Sequence, residues 1–317
     1  LTVSYINGVG TPTYQWFSNV INNNSGGTQI PNATNPAYTP PTVSAGTTYY
    51  YCTVTLTGGG CPQIESSTAE VIVHPDPTIN INPTITQMIC IGGTISNPLQ
   101  VGYTNGIGIP TYQWYSNTTN SNIGGTIIAG ANSNLYTPPT FNLPGNYYYY
   151  CEISLSGNGC DNVTSAAGEI QVFNDPIVTD PITTQQLCEN TTPTDLQVSA
   201  SGGMPGSAFT YQWYSNTVNS NTGGTIITGA TNPTYTPTTA SSNTIYYYCV
   251  VQQNNGNTGC ESISNTAEVI VTPGPSFNVQ PQDVQICEGA TISALTVSYI
   301  NGVGTPTYQW FSNVINN

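Results

Sequence analysis

Lysine and arginine are absent from this 317-residue chain, and histidine occurs once, as His74. Fourteen acidic residues leave a formal net charge of −14. Charged residues make up 4% of the chain, against about 25% in an ordinary globular protein, so solubility falls to Asn, Thr, Ser and Gln. A surface without cations has no grip on phosphate, which excludes nucleic acid as a partner and attraction to anionic membrane surfaces. Without lysine no Lys–Asn isopeptide cross-link can form. Trypsin-like proteases find no cleavage site, which suits an exposed surface as well as it suits compositional drift. No apolar run approaches the length of a membrane span, so no direct membrane insertion is expected in this segment. The first residues, Leu1-Thr2-Val3, already lie inside a repeat, so the lack of a leader there carries no information.

The means of catalysis are equally scarce. A reaction centre needs a nucleophile, a base and a shaped pocket, and His74 stands in a linker before Pro75 with no counterpart elsewhere. The chain is therefore not read as an enzyme, and no catalytic, metal or cofactor-binding residue is expected. Glu70, Glu169 and Glu268 occupy one outward slot of the same strand in successive repeats. Calcium requires several clustered oxygens. Asp76, and Asp175 with Asp180, are too sparse for a loop site, which leaves junctional calcium as the one cofactor considered.

What is present is repetition. Thr-Tyr-Gln-Trp followed by an aromatic, Ser and Asn is spelled four times, around Trp16, Trp114, Trp213 and Trp310, at spacings of 98, 99 and 97 residues. Each copy reads as a strand that buries its Trp, and a unit of this length can hold one sandwich core. In the second repeat a run from Thr78 to Cys90 is split by Pro83, as in an edge strand. Strands are expected at Leu99 to Val101, Thr111 to Asn117, Ile127-Ile128, Leu135 to Thr137, Tyr147 to Leu155 and Glu169 to Phe173. Asn105-Gly106, the NSNIGGT run from Asn120 to Thr126, Pro144-Gly145 and Gly157-Asn158-Gly159 supply the turns. No helical period occurs, so the fold class is all-β, a series of sandwiches. The expected domains are 1–74, lacking its first strand; 75–174; 175–273; and 274–317, which stops just after its Trp strand. Residues 1–23 and 295–317 are identical. That implies a longer period of 294 residues, made of three units, and ends cut from a longer repetitive polypeptide. Donation of the last stub to a neighbouring molecule would duplicate strands already present.

After each of the first three tryptophans comes Tyr-x-Cys, at Tyr50-Tyr51-Cys52, Tyr149-Tyr150-Cys151 and Tyr247-Tyr248-Cys249, with Trp-to-Cys separations of 36, 37 and 36. A buried Trp with a Tyr two residues before the Cys of a later strand is the immunoglobulin-like arrangement, and the short separation argues against the extra strands of variable-type domains. The usual partner Cys is missing; Leu1, Leu99, Leu196 and Leu295 lie near its position. Trp16, Trp114, Trp213, Trp310, Tyr50, Tyr149 and Tyr247 are the expected structural core. Alternation turns Tyr49, Tyr51, Tyr148, Tyr150, Tyr246 and Tyr248 outward, where they are candidates for stacking on sugars or on another filament. Cross-strand packing is the simpler account of them.

Nine cysteines fall three to a repeat, namely Cys52, Cys61, Cys90, Cys151, Cys160, Cys188, Cys249, Cys260 and Cys287, and all are disulfide candidates in an oxidising setting. Without a Cys-x-x-Cys pair or a nearby His they do not read as a metal site. Within a repeat, Cys90–Cys151 and Cys90–Cys160 are both open. A Cys151–Cys160 hairpin bridge is disfavoured by register. A fourth option, Cys90 to Cys260, would staple one repeat to the next. One Cys per repeat is left over, and Cys151 as a small buried hydrophobe is the expected one.

The pattern Cys188, Tyr211 to Asn216, Gly223 to Thr225, Gly229 to Thr231, Tyr235 to Pro237, Tyr247 to Cys249, Cys260 and Ala267 to Val271 resembles the tandem immunoglobulin-like repeats of giant cell-surface adhesins of Bacteroidota. The SprB-like gliding-motility adhesins exported by type IX secretion are among them. The resemblance implies beads on a string: an extracellular filament attached to the outer membrane, serving adhesion or gliding motility. Its partners would be neighbouring repeats, other filaments or surface glycans. Strands of about ten residues give units near 40 Å, so 294 residues would span on the order of 120 Å, with proline-bounded junctions limiting bending.

Overall fold

In the computed structural model, residues 1–84, 86–157, 159–181, 184–253 and 258–314 are described; of the expected turns, Asn158 lies outside them. Every regular element among the described residues is a β-strand, and no helix there is long and apolar enough to cross a membrane. By compactness the chain divides into two units. The first comprises Leu1–Ile85, Leu99–Tyr136 and Tyr148–Gly168; the second comprises Thr86–Pro98, Thr137–Tyr147 and Glu169–Asn317.

The first unit contains the sheet around Trp16. Its Trp strand, Thr11–Asn19, pairs antiparallel with Thr28–Gln29 on one side and with the Tyr-Cys strand Gly46–Thr57 on the other. The Tyr-Cys strand also pairs with Ala69–Val73 and Ile64–Glu65. The same unit holds the second Trp strand, Pro110–Asn117, laddered against residues 148–155. Register is common to these copies: Trp16 lies opposite Cys52, and Trp114 opposite Cys151. The run split by Pro83 forms Thr78–Ile81 in this unit, while Gln87–Cys90 belongs to the second. Asn105 and Gly106 both have positive φ, 65° and 74°, the backbone an Asn-Gly hairpin turn needs. Two short strands, Gly102–Thr104 and Val163–Thr164, have no counterpart in the sequence reading. Pairings of two or three residues are too short to carry a period.

The second unit contains the third repeat whole. Its main sheet runs Thr184–Cys188, Ala267–Thr272, Asn243–Gln253, Phe209–Asn216, Thr225–Ile226, with Glu261–Ile263 beside the Tyr-Cys strand. The opposing layer pairs Leu196–Gln197 with Thr234–Tyr235. Ala267–Thr272 alternates buried and half-buried along its length, so Ala267, Val269 and Val271 join Leu196, Val198, Trp213, Tyr247, Cys249 and Val251 in one core. The first strand runs parallel to the last, with Cys188 opposite Thr272; a Trp strand beside a Tyr-x-Cys strand, closed by that pairing, is the immunoglobulin-like sheet.

One core expectation fails here. Trp310 is 49% exposed, and only Ser276–Val279 and Ser298–Ile300 form a ladder after residue 273 among the described residues. The 317 residues hold no fourth Tyr-Tyr-Cys strand, so Trp310 has no partner strand to be buried against. Leu1 and Leu295 are likewise exposed, whereas Leu99 and Leu196 are buried.

Candidate functional site

In the three repeats that hold both strands, the Trp sits in an aromatic stack. Trp16 packs on Tyr38 and Tyr38 on Tyr50, with centroids 5.9 and 5.8 Å apart. Trp114, Tyr136 and Tyr149 repeat the stack, as do Trp213, Tyr235 and Tyr247. The indole N–H of each Trp donates to a backbone carbonyl, of Asn35, Ser133 or Asn232. Cys52, Cys151 and Cys249 are fully buried free thiols. Burial pushes the thiols of Cys151 and Cys249 up to about 12 and raises that of Cys52. Thiols held this firmly protonated are packing groups, inert as nucleophiles.

Half of the outward tyrosines prove to be covered. Tyr51, Tyr150 and Tyr248 are buried, which removes them from the candidate surface contacts and agrees with the cross-strand packing account. Each leaves the core face but stacks on the aromatic after the Trp (Phe17, Tyr115 or Tyr214) at 5.0 to 5.2 Å with nearly parallel rings. The Gly-Gly-Thr loop then roofs it. The backbone N–H of Gly27, Gly125 or Gly224 donates to the phenol oxygen at 3.0 to 3.1 Å. A Cβ at Gly125 would lie 2.8 Å from the Tyr150 ring, so the loop requires glycine there. Tyr49, Tyr148 and Tyr246 are half-buried. Tyr49 and Tyr246 donate to Glu70 and Glu268 at 2.8 Å, which raises both phenols. The Glu slot thus serves as a cap on the tyrosine row.

Two polar positions escaped the sequence reading. The hydroxyls of Ser66, Ser165 and Ser264 accept the buried N–H of Cys52, Cys151 and Cys249, each at 3.0 Å. The Gln before each Trp donates to the carbonyl of Ile30, Ile128 or Ile227 at 2.7 to 2.8 Å. Their recurrence at the repeat period was the available signal; their chemistry is ordinary, so nothing marked them as buried.

The feature that joins repeats lies in the second unit. Cys90 and Cys260 form a disulfide, with Cα atoms 4.9 Å apart, so the between-repeat pairing is realised and neither within-repeat pairing of Cys90 is. Cys90 ends the strand Gln87–Cys90, opposite Phe173, and its N–H donates to the carbonyl of Thr258 at 2.9 Å. A Cβ on Gly93 would lie 2.1 Å from that carbonyl, and one on Gly259 2.5 Å from the Gly93 Cα. Glycine on both sides is what admits the approach. Met204 is buried in one cluster with Cys90 and Cys260, and Phe173 packs against that cluster. Gln253, itself buried, receives the Met204 N–H at 2.7 Å and donates to the carbonyls of Met204 and Ser207. Both cysteines of the bridge are fully buried, and beside it the Thr258 hydroxyl is buried without a hydrogen-bond partner.

Cys61, Cys160, Cys188 and Cys287 are free and not buried. His74 is exposed. The Asp180 carboxylate accepts from both nitrogens of Asn265, and Asp76 accepts the Asp161 N–H. Burial raises Asp175. Among the described residues no group of three or more His, Cys, Asp or Glu side chains could hold a metal.

A family model described as a domain of unknown function (DUF8696) matches residues 1–75, 81–174 and 181–273. The chain belongs to the DUF8696 family. It carries three DUF8696 units in tandem, and no curated protein matches it. Among solved structures it is similar to the fibronectin(III)-like modules of Clostridium thermocellum CbhA, at 15% identity over 62% of this chain and 92% of that one, with a TM-score of 0.30. It is also similar to extracellular domains 3–5 of Drosophila OTK, at 16% identity over 82% of this chain and 85% of that one, TM-score 0.33. Domains A168–A170 of titin match at 12% identity over 81% and 87%, TM-score 0.34.

Proposed function

We propose that this chain is a structural segment of an extracellular cell-surface filament, its tandem sandwiches extending an adhesive element that serves attachment or gliding. One observation carries the reading: the Cys90–Cys260 disulfide ties one repeat to the next through 170 residues of chain. Such bonds persist in oxidising, extracellular settings, and one placed between repeats bears load that neither repeat carries alone. Supporting it are a chain with no lysine or arginine and carboxylates such as Glu70, Glu268 and Asp180 engaged in local hydrogen bonds. The bacterial and animal neighbours include fibronectin(III)-like modules and extracellular domains. The rival reading, a glycan-binding module using exposed Tyr and Asn, is left with the half-buried Tyr49, Tyr148 and Tyr246. Electron micrographs of the purified surface assembly test the first reading. A thin fibre with an axial repeat is expected, and globular particles would contradict it. Saturable binding of the 317-residue chain on a glycan array would favour the rival.

A further inference from the structure

The four accessible thiols follow a rule already visible at Cys90 and Cys260. Cys90 and Cys188 end the first strands of the second and third repeats, and Cys287 holds the matching sequence position in the fourth; Cys61, Cys160 and Cys260 follow the Tyr-Cys strands of the first three. The bond formed joins the leading Cys of one repeat to the hairpin Cys of the next.

The leading half-site at Cys188 is built as at Cys90. Cys90 stands opposite Phe173 and Cys188 opposite Thr272 in the same parallel register. The next residue's N–H donates to that facing residue, Ile91 to Phe173 and Glu189 to Thr272. The residue after it has positive φ, 74° at Gly92 and 61° at Asn190, and donates to Phe141 or Thr239. The turn closes back on the Cys carbonyl from Gly93, Thr191 and, at Cys287, Ala290. The hairpin half-site is equally regular. A glycine of φ 68°, 71° or 76° precedes Cys61, Cys160 and Cys260. Eight residues after the core leucine comes an apolar side chain: Met204 is 3% exposed beneath the bridge, while Ile107 and Val9, in the repeats whose hairpin Cys160 and Cys61 are free, are 41% and 73% exposed. Thr191 and Ala290 stand where Gly93 does, so a hairpin loop cannot come as close to those two turns as the Thr258 carbonyl comes to Gly93, where a Cβ would lie 2.1 Å from it; a bond there requires a wider approach.

The period supplies the partners. One period on, Cys61 becomes position 61 + 294 = 355 and Cys160 becomes 160 + 294 = 454. Cys188 is then 167 residues from the first and Cys287 is 167 from the second, against 170 for Cys90 and Cys260.

We propose that Cys188, Cys287, Cys61 and Cys160 are half-sites of the same inter-repeat disulfide. Wherever the 294-residue period recurs, Cys188 bonds Cys61 and Cys287 bonds Cys160 of the following period, one staple per repeat boundary in an unbroken series. Each bond forms from two thiols by exchange with an external low-molecular-weight disulfide. Its S–S bond breaks, the protein S–S bond forms, and the two electrons and two protons leave as two small thiols. The inference rests on the repeat geometry and not on the adhesive reading, and its test does not measure adhesion.

The test is one polypeptide of residues 1–294 followed by 1–317, refolded with oxidised and reduced glutathione, alkylated, and digested with pepsin because no lysine or arginine is available for trypsin. Linked peptides are mapped by mass spectrometry. The 18 cysteines form four staples, Cys90–Cys260 twice and the two new pairs once each, leaving ten free thiols. Cys188→Ser in the first period loses one linked peptide, frees Cys61 of the second, and leaves the other three staples in place. The proposal is overturned if Cys188 or Cys287 pairs within its own repeat. It is also overturned if both stay alkylatable while Cys90–Cys260 forms, giving 14 free thiols, or if Cys90–Cys260 itself does not form.

Discussion

At the scale of single residues, the buried thiol is the unusual choice. Cys249 occupies the place where an immunoglobulin-like domain holds half of its central bridge, and the place of the other half is filled by Leu196, which shares its core. The central position therefore packs without a covalent bond, and the cross-link has moved to the boundary between repeats. The thiol's raised pKa sets a pH dependence. In the unfolded chain Cys249 ionises near its ordinary value of 9.0, whereas in the fold it stays protonated up to about 12. Its contribution is complete below about pH 9 and is lost as pH rises toward about 12, on the order of 1.4 kcal/mol per pH unit. Urea midpoints measured from pH 8 to pH 11 should fall, and Cys249→Ala should flatten that fall; an unchanged slope would refute the assignment. The serine beneath the thiol carries a second expectation. Ser264→Ala leaves the Cys249 N–H without its acceptor, and an orphaned buried donor costs about 1–3 kcal/mol, readable as a lowered urea midpoint with unaltered m-value.

At the scale of elements, the Trp strand, the Tyr-Cys strand and the Gly-Gly-Thr loop act together. Gly224→Ala would set a Cβ 2.9 Å from the Tyr248 ring and 2.8 Å from the Ser215 carbonyl. Overpacking of that kind costs about 1–3 kcal/mol, so thermal unfolding should show the loss, while Gly223→Ala meets nothing within 4 Å and is strained only by its φ of 72°. Strands were legible wherever alternation ran for five residues or more, as in Gly168–Phe173, and turns wherever Asn-Gly fixed the backbone. Alternation also put Tyr51, Tyr150 and Tyr248 on the outer face, but it reports direction and not cover. The roof comes from a glycine loop some 24 residues away in sequence. Trp310 makes the complementary point: its strand motif is intact in sequence, yet burial requires a facing strand.

At the scale of the whole molecule, the sandwich chemistry repeats within each DUF8696 unit, and the Cys90–Cys260 disulfide with the contacts around it breaks the rule that each repeat closes on itself. Cysteine spacing could list the pairings but could not choose among them, because the choice depends on which backbones the fold brings together, as Gly93 and Gly259 are brought together beside Cys90 and Cys260. The bond hides the residues between Cys90 and Cys260 from an extending force. Pulling the 317-residue chain by its two ends in a force-extension experiment measures this directly. With the disulfide intact, the 170-residue separation is short-circuited, and adding a reductant should lengthen the fully extended chain by about 560–610 Å, at 3.3–3.6 Å per residue. Equal extended lengths with and without reductant would contradict the stapled-repeat account.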